Sequence, residues 1–163
     1  MKKPYRKRKK SIQVLKEPVL SYLHPVSGAH HSIEGMLGVV PAQLSEPIIR
    51  VDTFRKGFSK KSFDGLKKVT GLDYQTLARA LSVSTKTLQR TEVFDVVRSE
   101  RIYELADLYA TGMSYFGEDG FRRWMDRPLF TLGNRRPVEL LDVSEGISLL
   151  RSEIIRLQHG IAV

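Results

Sequence analysis

From Glu46 onward, apolar side chains recur at helical spacing, and Gly, Pro, Ser and Asp punctuate the runs. Pro47 suits a first helical turn, with Ile48, Val51 and Phe54 at a spacing of three and Gly57 as the stop. Ser59 caps the next run, which places Phe63, Leu66 and Val69 together and ends at Gly71. Asp73 opens a short helix with Leu77, Ala78 and Leu81, and Ser84 opens another that reaches about Glu92. The longest run spans 98–116, with Ile102, Leu105, Ala106, Tyr109, Met113 and Phe116 at i, i+3, i+4, i+7, i+11 and i+14; Gly117 ends it. A short amphipathic piece over 119–126 turns Phe121, Trp124 and Met125 inward, and Pro128 breaks it. Pro137 starts a single turn, PVELL. The last helix, over 143–159, buries Ile147, Leu150, Ile154 and Leu157; Asp142 with Glu145 predicts a capping box, and Gly160 the stop.

The pattern predicts an all-α protein, since no alternating strand pattern of useful length follows residue 46 and no internal repeat is evident. Three regions are expected. Residues 1–45 form a basic, flexible segment, 46–96 a helix-turn-helix region, and 97–163 a small helical region that follows it. Within the first, GMLGVVPAQL is apolar but holds two glycines and a proline, so strand and helical turn both stay open for 32–45.

The stretch GLDYQTLARALSVSTKTLQR, residues 71–90, carries the most chemical information. Two short helices flank Ser82, Val83 and Ser84, the layout of a helix-turn-helix. The small Ala78 lets the second helix cross closely, with Leu77, Leu81, Val83 and Leu88 in the angle. That leaves Thr85, Lys86, Thr87, Gln89 and Arg90 facing outward as candidate DNA contacts. Hydroxyls and the helix N-terminus hold phosphates, while Lys, Gln and Arg reach phosphates or base edges. The competing reading is a helical hairpin that only packs.

Charge weighs between the two. The formal net charge is +9 over 163 residues, unevenly spread. Residues 1–10 hold seven basic side chains and no acid, and residues 50–90 hold ten basic against three acidic. Residues 91–163 hold nine basic against twelve acidic. The basic parts suit a polyanion; the acidic end does not. Lys60, Lys61, Lys67 and Lys68 flank the expected groove as phosphate contacts, or form a solvated face. One such module binds weakly, so a homodimer reading two half-sites is expected.

Other chemistry is poorly represented. There is no cysteine, which excludes disulfides and thiolate-ligated metals and fits a reducing cytoplasm. No run reaches the roughly 18 apolar residues of a membrane span, and the basic start is not followed by a signal-peptide core. The four histidines, His24, His30, His31 and His159, share no metal spacing with acids. No phosphate loop, nucleophile motif or carboxylate pair suggests catalysis, so neither enzyme activity nor a cofactor is expected.

The order of motifs resembles the Xre/MbcA/ParS type of antitoxin over about residues 55–163. Three patterns carry the resemblance: Thr87-Leu88-Gln89-Arg90 ending the helix-turn-helix; Trp124 and Pro128 followed by Leu132-Gly133 and Pro137, Glu139, Leu140 and Leu141; and a final helix near Gly146 that closes on Leu157, His159 and Gly160. Ser82 stands where glycine is usual, and Thr91 where a second arginine often follows. The resemblance implies a type II antitoxin that represses its own operon. It implies a toxin-binding last third whose partner is a RES-domain toxin, which consumes NAD or transfers from it. By that analogy the C-terminal helix and tail lie over the toxin's active site, so Arg151, Arg156, His159, Gly160, Ile161 and Val163 are its candidate toxin contacts.

Read alone, those residues leave choices open. Arg151 and Arg156 meet partner carboxylates or form a solvated face, and the tail from His159 docks on a partner or packs on its own core. Arg135-Arg136 contacts an acidic partner or is merely solvated, whereas Trp124 reads as core. The alternative function is a stand-alone helix-turn-helix regulator with a C-terminal dimerisation domain. A cluster of polar residues forming a pocket would favour it, and none is evident in the sequence.

Overall fold

The computed structural model describes residues 31–160. Eight α-helices follow one another among these residues: α1 (Ile33–Leu37), α2 (Pro47–Lys56), α3 (Lys60–Thr70), α4 (Tyr74–Ala80), α5 (Thr85–Arg90), α6 (Val96–Phe116), α7 (Glu118–Asp126) and α8 (Ser144–Gln158). Single 3-10 turns lie at Pro41–Gln43, Phe130–Leu132 and Pro137–Leu140. The only extended pairings among the described residues are two isolated bridges, Ser59 with Val93 and Leu129 with Arg135. The all-α expectation holds. The open stretch 32–45 resolves into α1, capped by Ser32, and the first 3-10 turn.

The helix α6 is the axis of the fold, with α1, α2, α3, α7 and α8 all packed against it. Its Ile102, Leu105, Ala106, Leu108, Tyr109 and Met113 are buried, because its apolar side chains occupy more than one face and so meet neighbours on several sides. On the α7 side, a Cβ at Gly112 would lie 2.2 Å from the Phe121 ring, so this crossing needs glycine. Phe121 then stacks on Trp124 at 5.6 Å and on Phe116 at 6.1 Å, which confirms Trp124 as a core residue. On the other side, buried Ser99 accepts from the Phe58 amide at 2.9 Å and donates to the Phe94 carbonyl at 3.2 Å. That satisfies two backbone groups where the α2–α3 and α5–α6 connections meet the axis.

One helix buries a residue that its apolar spacing does not single out, and one local expectation needs correction. On α2, Ile48 and Val51 are exposed, and the buried residue is Thr53, which donates to the Gln43 carbonyl at 2.9 Å. A strict spacing of three drifts around a helix with 3.6 residues per turn, so Ile48, Val51 and Phe54 cannot share one narrow face. Phe54 alone reaches the core, 5.3 Å from the Tyr103 ring. At α8 no Asp142–Glu145 capping box forms; the N-cap is Val143, without a side-chain bond. There, α6 secures the helix start instead. Ser144 donates to Glu104 at 3.1 Å and accepts from Arg101 at 2.7 Å.

Candidate nucleic-acid interface and partner-binding half

Three local features set the angle between α4 and α5. Asp73 caps α4, accepting from the Thr76 amide at 2.6 Å, and that bond holds the Asp73 carboxyl below its usual range. Ser82 then takes a left-handed backbone with φ +53°, and the Val83 amide turns back to the Ala78 carbonyl at 2.9 Å. The usual glycine is replaced here, but the conformation is kept. Ser84 caps α5 through the Thr87 amide at 3.0 Å. Leu77, Leu81 and Leu88 are buried in the angle as the pattern predicts, with small Ala78 buried beside them, while Val83 is only half-buried.

Only Leu88 of α5 faces inward, and α5 stops at Arg90, two residues short of the expected end. Thr85, Lys86, Thr87, Gln89 and Arg90 are all exposed. The five sequence-derived candidates thus share one outward surface, although the Thr87 hydroxyl is already engaged with Ser84 at 2.8 Å. The α3 lysines divide. Lys60 pairs with Asp64 at 2.8 Å and lies 4.5 Å from the Phe63 ring centre, while Lys67 lies 4.8 Å from that of Tyr74. Lys61 and Lys68 are exposed.

The last third is built on α6, α7 and α8. Ile147, Leu150 and Ile154 of α8 are buried and Leu157 half-buried, and Tyr115 donates to the Leu157 carbonyl at 3.0 Å. This bond ties the end of α8 to its own core. Arg151 and Arg156, the candidate partner contacts, both have carboxylates within the chain: Arg151 lies 3.0 Å from Asp107, and Arg156 pairs with Glu153. His159 and Gly160 are exposed just beyond the helix, with Gly160 at φ +69°. Ile161 and Val163 lie outside the described residues. Of the loop pair, Arg136 is held by Glu139 at 2.8 Å, and this bond lowers the Glu139 carboxyl from its ordinary range; Arg135 is exposed.

Two features escaped the sequence reading. One is a cleft of about 650 Å³ between the helix-turn-helix and the last third, bordered by Asp73, Arg79, Tyr109, Arg122, Asp126 and Arg136. Burial, then the nearby Asp126 charge, pushes the Tyr109 hydroxyl up. Arg122 spans the junction, bonding the Val69 carbonyl at 3.3 Å and Glu118 at 2.6 Å, while its buried Nε has no partner among the described residues. These residues are up to some sixty positions apart, so no local pattern announces them. The other feature is exposed apolar surface, with Phe130, Leu149 and Ile155 turned outward in the last third.

Comparison with known families separates the same two parts. Residues 50–107 match the antitoxin Xre-like helix-turn-helix domain, and residues 111–160 match the antitoxin Xre/MbcA/ParS C-terminal toxin-binding domain. The chain belongs to the Xre/MbcA/ParS antitoxins. Among curated relatives of this antitoxin is one named Antitoxin Xre, from Yersinia enterocolitica, 28% identical over 123 residues that cover 72% of this chain and 83% of the relative. A second, named Prs ADP-ribosylating antitoxin, from a Sphingobium species, is 25% identical over 130 residues, covering 71% and 82%. The helix-turn-helix match runs into the first half of α6, so the two domains of this antitoxin share one helix. No helix among the described residues is long and apolar enough to cross a membrane.

Proposed function

We propose that this antitoxin neutralises a RES-domain toxin by covering its active site, and that it represses its own operon through the helix-turn-helix. The carrying observation is the pairing, in one chain, of an exposed basic recognition helix with a matched toxin-binding domain. An NAD-consuming or ADP-ribosylating toxin is in keeping with the name of the Sphingobium relative, which carries the term ADP-ribosylating. The antitoxin acts by binding, without catalysis or cofactor, in the cytoplasm and as a homodimer within a larger complex. In this reading residues 46–96 hold operator DNA through Thr85, Lys86, Thr87, Gln89 and Arg90, and 97–163 hold the toxin; residues 1–30 lie outside the described residues.

On the toxin side, Arg151, Arg156, His159, Gly160, Ile161 and Val163 are the proposed contacts. For Arg151 and Arg156 this means exchanging the internal carboxylates Asp107 and Glu153 for the partner's. Co-expression with the product of the neighbouring gene tests the proposal. A stable complex and relief of toxicity are expected; absence of both would end it. Lys86→Ala or Arg90→Ala should weaken promoter binding and spare neutralisation, and removal of 159–163 should do the reverse.

The polar cleft between the two domains favours a second reading, a stand-alone regulator that answers to a small ligand. Promoter binding with no affinity for the neighbouring product would select that reading.

A further inference from the structure

Phe130 is 89% exposed, more than any other large apolar residue among those described, yet it does not sit in a slack loop. Around it the chain is closed by four backbone bonds: Leu129 amide to Arg135 carbonyl at 3.1 Å, Asn134 amide to Leu129 carbonyl at 2.9 Å, Leu132 amide to Leu129 carbonyl at 3.1 Å, and Gly133 amide to Phe130 carbonyl at 3.0 Å. Gly133 and Asn134 make the reversal with successive φ values of +65° and +60°. Leu132 and Pro137 are buried and root the turn in the core. The turn therefore holds Phe130 out in water instead of tucking it in. Arg127 and Arg135 are exposed on the flanking chain.

We infer that Phe130 is the apolar anchor of the toxin interface, seated in an apolar socket of the toxin whose rim carries carboxylates. The inference rests on the antitoxin reading above. Three observations support it. The turn lies inside the segment matched to the toxin-binding domain. The flanking arginines suit an acidic rim, as the aromatic–arginine composition of interface hot spots would have it. A preformed turn loses little conformational freedom on docking, so burial of the ring contributes to affinity almost undiminished. Phe130 adds a contact outside α8 and the tail, where all the sequence-derived toxin contacts lie.

The test compares full-length wild type, Phe130→Ala and Phe130→Leu for affinity toward the toxin encoded beside it, binding to its own promoter, thermal unfolding and sedimentation. Phe130→Ala is expected to weaken the toxin complex at least about tenfold, a typical hot-spot loss. Phe130→Leu should recover part of that loss. Promoter binding and unfolding temperature should stay at wild type, since the ring touches little of its own fold. Wild-type toxin affinity in Phe130→Ala would overturn the anchor and leave the antitoxin reading standing. Dissociation of a homodimer by Phe130→Ala, with toxin affinity intact, would equally overturn it and assign the ring to a second copy. A wild-type protein with no toxin affinity would overturn both.

Discussion

Arg151 Nε lies 3.0 Å from an Asp107 carboxylate oxygen, so α8 is joined to the axial helix by an ion pair on the face proposed for the toxin. Ile155, one turn further on, is exposed beside it. The pair is half in water, with side-chain exposures of 50% and 23%, and such pairs stabilise a fold by less than about 1 kcal/mol. Its breakage is therefore a small cost when a partner carboxylate replaces Asp107. Arg151→Ala should shift urea unfolding by less than about 1 kcal/mol and weaken the toxin complex several-fold. Asp107→Asn should change stability equally little but leave toxin affinity at wild type or higher. Equal affinities for wild type and Arg151→Ala would confine the arginine to a role within the chain.

Ser82 occupies a left-handed conformation, φ +53°, in which a side chain is disfavoured by roughly 1 kcal/mol. Its side chain is exposed, so little is lost by removing it. Ser82→Gly should raise stability by up to about 1 kcal/mol, and Ser82→Val should lower it. Promoter affinity should be unchanged in Ser82→Gly, because the α4–α5 angle is already the one glycine would allow. Chemical denaturation and a gel shift read both outcomes. A fall in stability on Ser82→Gly would mean that the hydroxyl contributes more than the backbone conformation costs.

How far the fold could be read from the chain depended on the range of the signal. Caps are local, and Ser59, Asp73 and Ser84 all act where the sequence places them. The period of α6 was legible because a long helix repeats its pattern many times. The capping box at Asp142 misled because Ser144 found Glu104 and Arg101 on another helix, a partnership set by tertiary packing. On α2 the spacing of Ile48, Val51 and Phe54 marks the helix but not its buried residue, Thr53, whose hydroxyl is satisfied by a distant carbonyl. The outward face of α5 was legible, since Leu88 alone in that helix is apolar. Phe130 was not, because an aromatic two residues past a proline reads equally well as core or surface until the turn around it is known.

The Asp73 cap adds a pH dependence to the helix-turn-helix. The Thr76 amide bond favours the carboxylate and lowers its folded-state pKa below the ordinary carboxylate value. A depressed carboxyl stabilises the fold above its unfolded pKa, and the contribution disappears as pH falls through the folded value. At pH 7, Asp73→Ala should cost about 1 kcal/mol, the usual value of such a cap. The gap between wild type and variant should hold down to about pH 4 and then narrow. Asp73→Asn should retain most of the cap but lose this acid dependence. Urea midpoints at pH 7 and pH 3 decide the matter, and a gap that widens toward acid would refute the assignment.

The α3 lysines make the DNA proposal quantitative. Lys60 and Lys67 are turned onto Asp64 and the rings of Phe63 and Tyr74, whereas Lys61 and Lys68 extend into solvent. A phosphate contact releases counterions, so its loss reduces the slope of log affinity against log salt by about 1 per contact. Lys61→Ala and Lys68→Ala should reduce the slope for promoter DNA and leave unfolding nearly unchanged. Lys60→Ala should lower stability by a few tenths of a kcal/mol up to about 1 kcal/mol, through its ion pair and ring contact, with less effect on the slope. Lys86→Ala, on the recognition helix, should reduce the slope and the affinity together. Identical slopes in all four variants would place the DNA backbone somewhere other than along α3 and α5, and the basic character of residues 50–90 would then need another polyanion to explain it.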